Sequence, residues 1–180
     1  MVKVRFKATD IFDAPDDQYR YEVVDGDLYL TPAPSWGHQL SIGNLYSLLW
    51  NWIRERRLGY IVQAPLGVVL DNENGVQPDI LYVSRERASI ISQRGLEGAP
   101  DLVVESLSPS TEARDRGIKM RRYAAAGIPH YWLLDSQQET LEAYRLGPNG
   151  YDLAGIFARG ASFRPDLFPG LEIAIDDLWD

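Results

Sequence analysis

The sequence of 180 residues contains no cysteine and only two histidines. Disulfide bonds and thiolate-ligated metal sites are therefore excluded, and a secreted scaffold held together by disulfides is excluded with them. The N-terminal segment lacks the apolar core of a signal peptide, and no apolar run is long enough to cross a membrane. We therefore expect a cytoplasmic protein with no membrane partner.

Positive charge is also scarce, since 18 Lys and Arg residues stand against 26 Asp and Glu residues and the formal net charge is −8. This balance argues against a general binder of polyanions. The exception is the segment from Glu112 to Arg122, which holds five cations and two anions. This segment is either a solvated helix face or a contact to a nucleic-acid backbone. Three of its residues are the candidates for that contact: Arg114, Arg116 and Arg122.

The composition is that of a globular protein, with 45% hydrophobic and 24% charged residues. A chain of this length buries roughly two-thirds of its unfolded surface, so its core needs no covalent cross-link. We find no internal repeat, low-complexity tract or linker, and therefore predict a single domain over residues 1–180.

The most informative stretch runs from Ala99 to Asp135. Its first apolar run, Leu102–Val104, ends on the carboxylate of Glu105, and its second apolar run is Tyr131–Leu134. A helix-like segment separates the two runs, which predicts a strand, a crossover helix and a parallel strand. A carboxylate at the end of a buried strand is costly unless cations or hydrogen-bond donors compensate it.

The remaining patterns complete an α/β (α+β) fold with a mixed central sheet flanked by helices. The predicted order from the first helix onward is helix, strand, strand, strand, helix, strand, with extra hairpins towards both termini. The edge hairpins suit either a capped sheet or a homodimer contact. The predicted elements are a hairpin over Tyr19–Leu30 turning at Asp25-Gly26, a helix over Ser35–Arg57, two strands in Tyr60–Leu70 and Val76–Val83 forming a second hairpin, a third hairpin in Thr140–Leu153, and a strand at Leu171–Ile175.

Two carboxylates are placed to meet at one end of the sheet. Asp79 follows Pro78 at the start of one predicted strand, and Glu105 closes the next. Hard oxygen ligands without cysteine favour Mg²⁺ or Mn²⁺ over zinc. Such an ion can polarise a phosphoryl oxygen and lower the pKa of a bound water, as phosphodiester hydrolysis requires.

Lys119 is the candidate for the third part of such a site. One stripe of the crossover helix is expected to face the sheet: Ala113, Gly117, Met120 and Ala124. Lys119 then lies at the boundary of that stripe, from where its stem can carry the ammonium to the edge of the sheet. There it could orient the attacking water or offset charge on a phosphate. Tyr123 is expected to pack beside this stem, and Ser110 or Thr111 to cap the helix.

Several segments together resemble the Uma-two family of restriction-endonuclease-like proteins, a branch of the PD-(D/E)XK nuclease superfamily. The resemblance covers roughly residues 19–135 and lies in the order and spacing of the helix that contains His38 and of four segments: YEVVDGDLYLTPAP, VQPDILYV, DLVVESLSPST and DRGIKMRRYAAAGIPHYWLLD. It implies a restriction endonuclease-like αβββαβ core and a metal ion held by Asp79 and Glu105. It further implies that Glu22 could approach the site as a third carboxylate.

The sequence departs from the superfamily at one position. The superfamily usually carries a lysine two residues after the strand carboxylate, whereas Leu107 stands two residues after Glu105. The resemblance implies that the lysine has moved to the following helix, which makes Lys119 its replacement.

Each candidate residue also has an ordinary structural interpretation. Asp79 suits a Pro-Asp turn, Glu105 suits a buried salt bridge with an arginine, and Lys119 suits a solvated helix face. Glu22 could be a cross-strand surface residue. His38 could satisfy the start of its helix, with a role as catalytic base as the weaker alternative.

Three functions follow from these patterns. The first is a Mg²⁺-dependent endonuclease that cuts DNA, and the second is a catalytically inactive nuclease-fold protein that binds DNA or a protein and regulates it. The third is a hydrolase acting on sugars, which needs two carboxylates about 5–9.5 Å apart and no lysine. Close clustering of Asp79, Glu105 and Lys119 would count against the third.

Overall fold

The computed structural model describes residues 4–180, in which two larger sheets, a two-stranded sheet formed by the last two strands and three α-helical segments form the fold. The helices and strands follow in chain order: β1 (Arg20–Val24), β2 (Asp27–Thr31), α1 (Trp36–Arg56), β3 (Gly59–Gln63), β4 (Val68–Val69), β5 (Gly75–Val76), β6 (Ile80–Ser84), β7 (Leu96–Glu97), β8 (Leu102–Ser106), α2 (Glu112–Arg114), α3 (Met120–Ala125), β9 (His130–Asp135), β10 (Thr140–Gly147), β11 (Gly150–Ala158), β12 (Ser162–Phe163) and β13 (Ile173–Ala174). A π-helical turn, Asp115–Lys119, joins α2 to α3. Short 3₁₀ turns cover Ala8–Asp13, Arg85–Ile90 and Ile175–Leu178.

The main sheet contains six strands in the order β11-β10-β9-β8-β6-β3. Strands β8 and β9 are parallel, as a crossover through the α2–α3 segment requires, and the other neighbours are antiparallel. The order α1, β3, β6, β8, helical crossover, β9 confirms the predicted αβββαβ core. The β10–β11 hairpin extends this core at the C-terminal side.

A second sheet has the strand order β2-β1-β5-β4-β7. Its β1–β2 hairpin turns at Asp25 and Gly26, which both have positive φ, as a two-residue primed turn requires. The register pairs Glu22 with Tyr29, which follows from the predicted turn at Asp25-Gly26. This sheet places one face of the N-terminal hairpin against the edge of the main sheet that carries the candidate carboxylates.

The predicted second hairpin is divided between the two sheets. Strands β3 and β6 pair in the main sheet, whereas β4 and β5 pair in the small one. Pro65 and Pro78 lie at the two breaks, where a residue without an N–H donor cannot continue the strand pairing. As a result, Asp79 directly precedes β6 instead of lying within a longer strand.

The main sheet separates two hydrophobic clusters. Alternating residues of β6 contribute to both, since Ile80 and Tyr82 pack with α1 and the C-terminal segment while Leu81 and Val83 face the crossover helix and the small sheet. The predicted face of the crossover helix is wrong. Its buried residues are Asp115, Lys119 and Tyr123, and the residues of the predicted stripe are half-buried or exposed.

Two local features explain this difference. Glu105 projects from β8 towards the helix, so the helix presents polar groups to it, and the π-helical turn changes the angular spacing on which the prediction relied. Thr111 stands at the N-cap position of α2 but its side chain makes no capping bond; its hydroxyl accepts from the Ser108 N–H at 3.3 Å. None of the helices within residues 4–180 has the length and apolar character needed to cross a bilayer.

We predict that Leu49→Ala lowers the free energy of unfolding by about 2–5 kcal/mol, because the side chain is fully buried between α1 and the main sheet and its removal leaves a cavity. Urea unfolding measures this change. The matched control is Leu153→Ala on β11, whose side chain is exposed and whose loss should change little. Equal effects of the two substitutions would contradict this packing.

Candidate active site

The Lys119 ammonium lies among three carboxylates. Its Nζ is 2.9 Å from Glu22 Oε1, 2.7 Å from Glu105 Oε1 and 3.4 Å from Asp115 Oδ1. The side chain is only 2% exposed, and the carboxylates are equally buried. Lys119 is therefore a buried cation at the centre of the site and not a solvated helix residue.

Each of these groups comes from a different part of the fold. Glu22 projects from β1 of the small sheet, Glu105 from β8 of the main sheet, and Lys119 from the π-helical turn between α2 and α3. Tyr123, one turn after Lys119, donates its hydroxyl to Glu105 Oε1 at 2.6 Å. It therefore does more than pack against the lysine stem, since it supplies a donor to a buried carboxylate.

Asp79 lies beside this cluster and has its own set of donors. Arg20 Nη1 is 2.7 Å and His38 Nε2 is 3.3 Å from Asp79 Oδ1, while the Ser106 N–H donates to Oδ2 at 2.8 Å. Burial by itself raises the pKa of this carboxyl, but the bond from His38, the charge of Arg20 and the Ser106 N–H lower it to about 2. Asp79 is therefore ionised at neutral pH.

The carboxylates outnumber the permanent cations at the site. Burial, the strongest influence, and the charges of Asp115, Asp79 and Glu22 raise the pKa of Glu105 to about 8, although Lys119 opposes them. Burial also tends to raise the pKa of Glu22, but Lys119, the Gln77 N–H and Arg114 bring it below its ordinary value. Without a further cation, Glu105 is thus the group that holds a proton at neutral pH.

A cavity of about 240 Å³ opens onto these groups. It adjoins a larger cleft of about 510 Å³, and Arg20, Asp79 and residues 31–34 line both. Three residues that line the smaller cavity each have a buried polar atom without a hydrogen-bond partner within residues 4–180: Ser106 Oγ, Arg114 Nε and Asp115 Oδ1, of which the last lies 3.4 Å from the Lys119 ammonium. Unsatisfied buried polar atoms around one cavity indicate that it receives a polar ligand or ordered water.

The carboxylate oxygens at the cavity suit a hard divalent cation that keeps several of its bound water molecules. Within residues 4–180 no three His, Cys, Asp or Glu side chains are arranged to enclose a metal ion. Mg²⁺ nevertheless commonly uses only one or two protein carboxylates and several waters. Asp79 accepts a hydrogen bond from the N–H of Ser106, the residue that follows Glu105 in β8. This bond connects Asp79 to the strand end that carries Glu105. The raised pKa of Glu105 and the unpaired Ser106 Oγ fit a cation and its water in this cavity.

The three arginines predicted to contact nucleic acid are separated by the fold. Arg114 lines the cavity, where its Nη2 donates to Thr31 Oγ1 at 2.8 Å. Arg116 instead donates to both oxygens of Glu142 at 2.7 Å, and Arg122 pairs with Asp25. Neither of the latter two lies on the cavity, so only Arg114 is brought to the candidate site.

Sequence reasoning missed three residues of the site, Arg20, Ser106 and Asp115, and it missed the hydrogen bond from Tyr123 to Glu105. Arg20 shares one face of β1 with Glu22, and this alternation was available from the sequence. Asp115 and Tyr123 are each four residues from Lys119, a spacing that places side chains on one helix face. No local signal pointed to Ser106, whose role depends on the position of Asp79 in the folded chain.

Comparisons with known proteins agree with the resemblance found in the sequence and with the fold. The model of the Uma2 family, described as "Putative restriction endonuclease", matches residues 8–176. The protein slr1290 of Synechocystis sp. is 30% identical over 165 residues, which cover 89% of this chain and 83% of that protein. A crystal structure from Anabaena variabilis, titled a putative nuclease belonging to DUF820, has the same fold, with a TM-score of 0.79, 19% identity and 97% coverage of both chains.

We predict that, in EDTA, the stability contribution of Glu105 falls as pH rises from about 4.5 to about 8. Below the lower value both states bind the proton, whereas between the two values only the folded state keeps it, so that folding becomes less favourable as pH rises. Urea unfolding across pH 5–9 measures the slope.

Glu105→Gln should remove this part of the pH dependence because the amide does not titrate. Glu55→Gln on the exposed side of α1 is the matched control and should leave the slope unchanged. Identical slopes for wild type and Glu105→Gln would show that Glu105 does not carry the extra proton.

Proposed function

The chain belongs to the Uma2 family, and on that premise we propose that it is a metal-dependent endonuclease that hydrolyses phosphodiester bonds of DNA. The description of the family supports a nuclease activity. The observation that carries the finer proposal is the juxtaposition of Lys119 with Glu105, at 2.7 Å, in a cavity that also contains Asp79. Two acids and an amine in one cavity are the groups that this reaction needs.

In this proposal Asp79 and Glu105 hold Mg²⁺ or Mn²⁺. The bound ion supplies polarisation of a phosphoryl oxygen and a lowered pKa of its water. Arg20 and His38 keep the Asp79 carboxylate oriented through their contacts to Oδ1. Tyr123 does the same for Glu105 through the bond that its hydroxyl donates to Oε1.

Lys119 acts on the water or on the charge that develops at the phosphate. Although burial alone would lower the pKa of its ammonium, the surrounding carboxylates raise that pKa well above its ordinary value. Lys119 is therefore a charged electrostatic group and not a general base. Glu22 is the third carboxylate of the site, and it holds the ammonium through a bond of 2.9 Å.

Arg114 is the residue best placed to receive a substrate phosphate. Its guanidinium packs over Tyr29, bonds Thr31 and lies 3.6 Å from Glu22, while its Nε has no partner. Because Tyr29 and Thr31 hold the guanidinium in place on the lining of the cavity, it can offer a fixed set of donors to a phosphate that enters there.

The second candidate is a nuclease-fold protein that binds DNA or a protein without turnover. It is favoured by the protein cations that already compensate the acids, namely Lys119 for Glu22 and Glu105, and Arg20 for Asp79. The sugar hydrolase is not retained, because an ammonium 2.7 Å from Glu105 has no place in a two-carboxylate mechanism. Homodimer formation stays a prediction.

We expect Asp79→Asn and Glu105→Gln to abolish Mg²⁺-dependent cleavage of DNA while the protein stays folded, since each substitution removes a hard anionic ligand. Cleavage is followed on plasmid and linear DNA, and Mn²⁺ binding by electron paramagnetic resonance. The exposed Glu55→Gln is the matched control and should behave as wild type. Cleavage that persists in either site variant would contradict the assigned roles.

Mn²⁺ binding separates the two candidate functions. Binding of Mn²⁺ together with cleavage supports the nuclease, and DNA binding without Mn²⁺ binding at millimolar concentration supports the protein without turnover.

We expect Lys119→Arg to keep the positive charge and bind Mn²⁺ but to lower kcat by about 10²-fold or more, because the charge is displaced from its position. Unchanged kcat would remove Lys119 from the reaction.

A further inference from the structure

Two exposed aromatic residues are next to residues of the candidate active site along the chain. Trp36 is 81% exposed and follows Ser35, which lines the smaller cavity, while Tyr19 is 41% exposed and lines the larger cleft. Tyr19 directly precedes Arg20, and Trp36 is two residues before His38. Arg20 and His38 both contact Asp79 Oδ1. Each aromatic residue is therefore one or two positions along the chain from a residue that contacts this carboxylate.

The backbone that carries these rings is ordered by local hydrogen bonds. The Tyr19 N–H donates to Asp17 Oδ1 at 2.8 Å, and the Tyr21 hydroxyl donates to Asp17 Oδ2 at 2.8 Å. At the start of α1, the His38 N–H donates to Ser35 Oγ at 3.3 Å. The backbone at Tyr19 and Trp36 is therefore held by hydrogen bonds, whereas both side chains are exposed to solvent.

The surroundings of the site offer few free cations. Arg20, Arg114 and Lys119 line the two cavities, and each is engaged with a carboxylate. The larger cleft also carries Asp16 and Asp17. Duplex DNA is held mainly by many cationic contacts to its phosphates, which this surface does not provide. Base stacking on aromatic rings adds affinity beyond the phosphate contacts, and only unpaired bases can stack in this way.

We infer that the substrate of this site is an unpaired nucleotide segment, either a single strand or the frayed end of a duplex. Its bases stack on Trp36 and Tyr19, and one phosphate reaches Arg114 in the cavity. The apolar wall formed by Pro32–Pro34, common to both cavities, lets the strand pass between them. This inference rests on the proposed function, because it names the substrate class of the same site.

The test measures binding apart from cleavage. Fluorescence anisotropy in EDTA compares a labelled single-stranded DNA oligonucleotide with the duplex of the same sequence. We expect tighter binding of the single strand, and we expect Trp36→Ala and Tyr19→Ala each to weaken it about 5- to 150-fold, the range measured for loss of one stacking partner. Tyr60→Ala is the matched control, because Tyr60 is 52% exposed on β3 and lines a different cavity, together with Trp50 and Arg85.

Tighter binding of the duplex, or equal affinities of Trp36→Ala and Tyr60→Ala, would overturn the inference. A Trp36→Ala variant that binds the single strand as wild type does but has a different molar mass in light scattering would also overturn the inference. The Trp36 ring would then belong to a contact between copies of this chain. Failure of the metal-dependent reaction has a different signature: single strands still bind through Trp36 and Tyr19, but no divalent ion produces cleavage.

Discussion

The interaction on which the site depends is the contact of one buried ammonium with carboxylates from both sheets. Lys119 reaches Glu22 on the small sheet and Glu105 on the main sheet from a turn that belongs to neither. Removing one member of a buried ion pair leaves an uncompensated charge in a low dielectric, which is strongly destabilising. The same contacts therefore hold the N-terminal hairpin against the main sheet and set the position of the candidate catalytic groups.

The balance of charge around that ammonium supports the proposed functional role of the cluster over a purely structural salt bridge. A purely structural pair would be most stable with its charges matched, whereas here the acids exceed the permanent cations, and burial together with the neighbouring acids raises the pKa of Glu105. Perturbed carboxyls beside unsatisfied polar atoms such as Ser106 Oγ are typical of functional sites. The fold tolerates this arrangement because two large apolar clusters lie on either side of the main sheet.

The environment of the site defines what can approach it. The body of the protein is acidic and Arg116 and Arg122 are paired with Glu142 and Asp25, so under the proposed function the affinity for a nucleic acid comes largely from short-range contacts. The solved structure from Anabaena variabilis has this fold at only 19% identity, which shows that the architecture tolerates wide sequence change. The exposed residues beside the cavity are thus free to set the substrate class.

The amino-acid sequence by itself determined the local elements and their order. The Ser35 cap and the apolar spacing define α1, Asp25-Gly26 defines the first hairpin, and the alternation around Glu105 places it on an inner face of β8. These features are encoded within a few neighbouring residues, where turn chemistry and side-chain period act directly.

Only the tertiary structure decided which side chains meet. Glu22 and Lys119 are 97 residues apart, and Arg20 and Asp79 are 59 apart, so their contacts depend on how the small sheet packs on the main one. The inward face of the crossover helix followed from the buried charge of Glu105 and the π-helical turn, not from apolar spacing. Burial of charge is settled by partners brought from a distance, and no local pattern contains that information.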